Sequence, residues 1–202
     1  MADPRASTSS SASPAWRTVD IVVAAVIAVA FGVVFWAWNA LWATTTPAFA
    51  ALPAAQYLIS GVWLIPAVLG GLVIRKPGAA LFCELLAAIV SALIGSQWGL
   101  DTVISGIVQG GGAEIVFLLF RYRNWGLPVA VLAGVASAAA AWVHDMVVYY
   151  PDLGAGGWAV FLPFYLVSAA VIAGVGSSYL TRSLAETGVL ASFPSGRTQS
   201  RI

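Results

Sequence analysis

The sequence predicts an all-α membrane protein, a bundle of six transmembrane helices. Three observations carry this reading. The chain is 60% hydrophobic and only 8% charged over 202 residues, whereas a water-soluble domain carries about 25% charged residues. Apolar stretches near 18–41, 55–74, 78–96, 102–120, 127–149 and 159–181 each approach the roughly 20 residues that a helix needs to cross the bilayer. The shorter alternating segments of a membrane barrel do not occur.

Charge placement orients the bundle. With six alternating crossings, Arg5, Arg17, Arg75, Lys76, Arg121, Arg123, Arg182, Arg197 and Arg201 all fall at one end, and these are every Lys and Arg in the chain. Basic residues favour the cytoplasmic side, so both termini are expected there. The opposite loops carry Asp101 and Asp152. The net charge of +1 hides this separation and argues against nucleic acid as a partner.

Residues 1–15 read as a disordered tail, residues 16–182 as the transmembrane domain, and residues 183–202 as a cytoplasmic tail. The start is rich in Ser, Ala and Pro, and the stretch from about Ser192 is of the same low complexity. The apolar run after the start is too long for the core of a cleaved signal. A single cysteine, Cys83, excludes a disulfide within the chain and any paired-cysteine metal or redox motif. No cofactor and no metal site is expected.

In span one, Ala24, Ala28 and Gly32 form a small-residue stripe that admits a close helix, either within the bundle or on a partner protein. Asp20 suits the positive end of the helix dipole. Trp36, Trp38 and Trp42 gather where span one leaves the membrane. Asn39 among them either caps the helix or reaches into a cavity. In span two, Pro66 should kink the helix. Trp63 either anchors at the interface or stacks on a ligand.

Span three places Glu84, Ala88, Ser91 and Gly95 on one polar, small face. Span four does the same with Gly106, Gly110 and Glu114, broadened by Gln109. A carboxylate among lipid tails costs several kcal/mol, about 2.5–3.5 at a helix centre on insertion scales, and marks function more often than decoration. Folding the two spans about a turn near Trp98 sets Glu84 and Glu114 at similar depth. Two facing carboxylates either share a proton or hold a cationic or amine-bearing ligand. The turn, Gly95-Ser96-Gln97-Trp98-Gly99, makes Gln97 and Trp98 a candidate lid.

Span five ends with His144 and Asp145, with Trp142 and Tyr149 nearby as candidates for a cavity mouth. Adjacent helix positions point about 100° apart, so His144 and Asp145 are not expected to be partners. No zinc-protease, serine-hydrolase or phosphate-loop motif occurs, which leaves hydrolysis and ATP binding without apparatus.

The ordered run RKPGA at Arg75–Ala79 followed by Glu84, then QWG at Gln97–Gly99, then QGGGAE at Gln109–Glu114, resembles the YkoE family. The similarity extends from about Trp16 to Tyr179 and includes Val19–Trp36 and Gly61–Glu84. Members are membrane-embedded substrate-binding (S) components of energy-coupling factor (ECF) importers in the bacterial plasma membrane. The resemblance implies six helices and a pocket open to the outside. It implies a ligand that is thiamin or its hydroxymethylpyrimidine precursor, and partners consisting of a transmembrane coupling protein with two ATPase subunits. It also implies docking through the stripe Ala24, Ala28 and Gly32. Glu84, Glu114, Gln97, Trp98, Gln109, Asn39, Trp63, His144 and Asp145 are the expected binding residues. One tension follows. Both glutamates fall in the inner half of the bilayer, so either the pocket is deep or one of them serves structure or coupling. The alternative function is a membrane scaffold with no substrate.

Overall fold

The computed structural model describes residues 15–197. The expected disorder of the first residues therefore lies almost wholly outside the described chain. Helix α1 (Thr18–Thr45) is followed by a 3-10 helix (Pro53–Leu64) that continues into α2 (Ile65–Ile74). Then come α3 (Ala79–Gly95), α4 (Asp101–Leu119), α5 (Leu127–Tyr149) and α6 (Gly154–Ser168). A π-helix (Ala169–Val175) joins α6 to α7 (Gly176–Glu186), and a short α8 (Pro194–Arg197) ends the described chain. Five of the helical stretches are at least 18 residues long and apolar enough to span a membrane; α3, at 17 residues, is the sixth apolar helix.

Span two is not a kinked α-helix. Pro66 sits at the start of α2, where its missing N–H costs nothing. The preceding residues wind as a 3-10 helix that leaves the α2 N-terminus in the middle of the crossing. Two bonds stitch this tighter segment to the last crossing. Gly61 N–H donates to Ser168 Oγ at 2.8 Å, and that hydroxyl donates to the Leu58 carbonyl at 2.7 Å. The π-helix begins at the next residue, and π-turns often accompany functional sites.

The small stripe of α1 is used inside the bundle. Ala24 and Ala28 are fully buried, and a Cβ on Gly32 would stand 2.5 Å from the Val90 side chain of α3. This corrects the expected partner-docking role of Ala24, Ala28 and Gly32: α3 already occupies that face. Small residues report close approach but not which helix approaches. The outward face of α1 is the valine row Val22, Val26, Val29 and Val33.

The two ends of the bundle differ in charge. At the basic end, fully buried Asp20 pairs with Arg17 and Lys76, both at 2.7 Å. Arg17 also donates to the Ser192 carbonyl and lies over the Phe193 ring. The C-terminal segment is thus packed as far as Ser195, contrary to the low-complexity expectation. Leu190 and Phe193 are buried, and Ser195 Oγ donates to the Val73 carbonyl at 3.0 Å. Two apolar side chains in a polar run are enough to dock it.

Candidate substrate site

A cavity of about 270 Å³ enters from the acidic end between α1, the 3-10 helix, α3, α4 and α5. It sits at the small end of ligand pockets, which run to roughly 300–1,000 Å³. Its depth follows from the residues that line it. Trp98 lies in the turn at the mouth and Glu84 at the floor. Ser96 stands twelve positions beyond Glu84 along α3, about 18 Å at 1.5 Å per residue. The pocket is deep: it runs from the acidic end of the bundle to a carboxylate in the half nearer the basic end.

Glu84 is fully buried. Its Oε2 accepts the Ala67 N–H at 2.9 Å, at the N-terminus of α2 that Pro66 exposes. A carboxylate there meets an orphan donor and the positive end of the helix dipole. Its Oε1 has no hydrogen-bond partner among the described residues. Leaving a buried acceptor unsatisfied costs about 1–3 kcal/mol, and more for a charged group. The backbone of α4 passes close by, because a Cβ on Gly110 would stand 3.0 Å from Glu84 Cβ.

The walls are aromatic. Trp42 and Trp63 have ring centroids 5.0 Å apart, and Trp63 meets Trp98 edge to face at 5.5 Å. Tyr57 packs on Trp42 at 5.0 Å. Asn39 fixes this wall: its Oδ1 accepts from Trp63 Nε1 at 3.0 Å, and its Nδ2 donates to Ser91 and Ser96 at 3.3 Å each. The Trp98 turn closes with Gly95 and Gly99 at φ of 121° and 56°, left-handed values that favour glycine.

Asp101, Asp145 and Tyr149 also line the cavity. His144 bridges the two carboxylates, with Nε2 at 3.2 Å from Asp101 Oδ1 and Nδ1 at 3.0 Å from Asp145 Oδ1. His144 and Asp145 are therefore partners, contrary to expectation. The imidazole turns into the α4–α5 seam, where Ser105 also lies 3.4 Å from Nδ1. Tyr149 donates to Asp101 and Tyr165 to Asp145.

Of the expected binding residues, the cavity brings together Glu84, Asn39, Trp63, Trp98, Gln109 and Asp145. Gln97 is exposed and does not line it, and His144 stands behind its carboxylate partners. Glu114 lies elsewhere. Gly106 packs on Ala88 and Gly110 on Leu81, so Glu84 is level with position 110, and Glu114 is one turn nearer the basic end. Glu114 caps α3 instead, accepting N–H bonds from Gly78 at 2.6 Å, Ala80 at 3.0 Å and Leu81 at 3.3 Å. It also accepts from the Tyr122 hydroxyl at 2.7 Å. Glu114→Ala should cost on the order of 3 kcal/mol through these orphaned donors. A lowered melting temperature in detergent, with ligand affinity within about twofold, checks this; a loss of affinity at unchanged stability would return Glu114 to the site.

Trp42, Tyr57, Asp101 and Tyr150 line the cavity but were not among the expected binding residues. A signal existed for Trp42. Phe35, Asn39 and Trp42 are spaced four and three apart, on the inward face that also carries Ala28 and Gly32.

A helical membrane bundle with a deep aromatic cavity closed by a buried acid has the architecture of a substrate-binding membrane component. Comparison with known proteins specifies which. A family model described as "ABC-type cobalt transport system, permease component" matches residues 19–140. The chain is 38% identical over 183 residues to a Bacillus subtilis (strain 168) protein described as "Putative HMP/thiamine permease protein YkoE", covering 90% of this chain and 91% of that one. It also matches a solved chain described as "Crystal structure of an S-component of ECF transporter". That match has a TM-score of 0.88 and 37% identity, and covers 93% of this chain and 94% of the other. The chain belongs to the YkoE family of ECF-transporter S components. It is a multi-pass protein of the cell membrane and a substrate permease, not an enzyme.

Proposed function

We propose that this S component captures thiamin or its hydroxymethylpyrimidine precursor from outside the cell. It then delivers the ligand through a transmembrane coupling protein driven by two ATPase subunits. The observation that carries the reading is Glu84 Oε1, fully buried at the floor of an aromatic cavity with no hydrogen-bond partner among the described residues. An exocyclic pyrimidine amine would supply the missing donor. Trp42, Trp63 and Trp98 would flank the ring, and the Gln109 side chain, which also lines the cavity, would bond it. Asp101 and Asp145 at the mouth suit the positive charge of a thiazolium. The basic end, with Arg75, Lys76, Arg121, Arg123 and Arg182, faces the cytoplasm in this reading, and both termini with it.

Mass spectrometry of ligand retained by the purified protein tests the proposal. Thiamin or hydroxymethylpyrimidine is the expected species; a retained compound with neither an amine nor a cation would contradict it.

Trp98 closes the mouth in this account. Trp98→Ala should raise the dissociation rate roughly tenfold, since aromatic stacking adds about 0.5–1.5 kcal/mol beyond buried area and changes within one interface act mostly on dissociation. Stopped-flow quenching reads this rate. Unchanged dissociation with a lower melting temperature would make Trp98 an interface anchor only.

A further inference from the structure

Two carboxylates reach the mouth of the substrate cavity, Asp101 from α4 and Asp145 from α5, and no Lys or Arg is among the residues that line it. The two acids keep an open face, with side chains 23% and 17% exposed, while the imidazole between them is 9% exposed. His144 is not among the lining residues, so its ring stands behind the acids it joins.

The contacts around the two acids form a frame. His144 Nε2 lies 3.2 Å from Asp101 Oδ1, and Nδ1 lies 3.0 Å from Asp145 Oδ1. The second oxygen of each acid takes a tyrosine hydroxyl, Tyr149 on Asp101 Oδ2 and Tyr165 on Asp145 Oδ2. A carboxylate that accepts at both oxygens is ionised, so the imidazole faces acceptors on both sides. Only a ring with a proton on each nitrogen satisfies both. Tyr165 is buried, stacked on Tyr57 with centroids 4.3 Å apart, and like His144 it lies outside the cavity lining. The frame therefore ties α4, α5 and α6 together behind the cavity wall.

Without an imidazolium between them, two acids across one seam would repel, and would share a proton or turn apart. Neither alternative presents two fixed, ionised groups to the cavity. With it, both stay ionised and the three groups together carry one net negative charge, the complement of a single positive one. The cavity they face has an independent sign of a ligand, the buried Glu84 Oε1 with no hydrogen-bond partner among the described residues.

We propose that His144 and Tyr165 are positioning residues for the positive end of the ligand: from behind the wall they hold Asp101 and Asp145 ionised and in place for a cationic ring. The inference rests on the proposed capture of thiamin or hydroxymethylpyrimidine and separates the two, because thiamin carries a permanent positive charge and its precursor does not.

The test compares the affinities of both compounds for the full chain by tryptophan quenching, at a mildly alkaline pH that keeps the free pyrimidine neutral. His144→Gln should weaken thiamin binding at least about tenfold, the scale of one charge-assisted hydrogen bond, and hydroxymethylpyrimidine binding less than about twofold. Tyr165→Phe keeps the ring stack and should weaken thiamin binding about threefold to tenfold with the same selectivity. It carries the test if His144→Gln does not fold. Equal loss of both ligands would make these residues supports of the bundle only and overturn the proposal. Tighter thiamin binding in His144→Gln would also overturn it, by showing that the imidazolium opposes the cation. Binding of hydroxymethylpyrimidine alone by the parent would keep the ligand class and overturn this inference, whereas binding of neither compound would overturn the ligand class and this inference with it.

Discussion

Glu84→Gln should lower ligand affinity by about 10- to 150-fold, the equivalent of the 1.5–3 kcal/mol carried by a hydrogen bond to a charged group. The bundle should stay folded. The glutamine carbonyl can still accept the Ala67 N–H, and the side-chain volume is nearly unchanged. The group lost is Oε1, the acceptor that no donor among the described residues meets. Tryptophan quenching is a suitable readout, because Trp42, Trp63 and Trp98 all line the cavity. Equal affinity in the variant and the parent would mean that the buried acid serves only to cap α2.

Ala28→Trp should have the largest effect on folding. Ala28 is fully buried and clusters with Phe35 and Ala87, with Phe31, Trp63 and Leu86 against them. An indole there forces α1 off α3. Inserting even a few methylenes into a packed core costs about 1–3 kcal/mol, and an indole exceeds that insertion. Separating α1 would also carry Phe35, Asn39 and Trp42 out of the cavity wall, so ligand binding should fall with the folded yield. Val26→Trp is the matched control, since Val26 is 63% exposed on the outward face. Size-exclusion yield and melting temperature of the two variants decide the matter. A stable, ligand-binding Ala28→Trp protein would show that the stripe is not needed for the α1–α3 contact.

Much of this architecture was legible in the sequence. Length and hydropathy marked six crossings because a bilayer demands apolar stretches of nearly fixed length. The paired carboxylates Glu84 and Glu114 pointed to a cavity because burying them uselessly is costly, and of the two Glu84 lines it. Asn39, Trp63, Trp98, Gln109 and Asp145 also reach that cavity. The failures share one cause. Periodicity shows which residues share a face, but not what that face meets or its axial offset. Glu114 shares a face with Gly110, yet one turn of offset takes it from the ligand cavity to the α3 N-terminus. Ala24, Ala28 and Gly32 promised a close neighbour, and the neighbour is α3. The break in span two was signalled by Pro66, but a 3-10 helix ahead of it depends on tertiary bonds such as those through Ser168. His144 and Asp145 meet because Asp101 of α4 draws the imidazole into the seam, a contact invisible along one helix.

The central claim is that Glu84 reads an amine on a pyrimidine ring. A double-mutant cycle between protein and ligand tests it most directly. Thiamin and its analogue with the exocyclic amine replaced by an oxo group would each be titrated calorimetrically into the parent protein and into Glu84→Gln. The account predicts that the analogue binds the parent at least about tenfold more weakly than thiamin, and that this difference shrinks to near unity in Glu84→Gln. An undiminished preference for the amine in Glu84→Gln would contradict it.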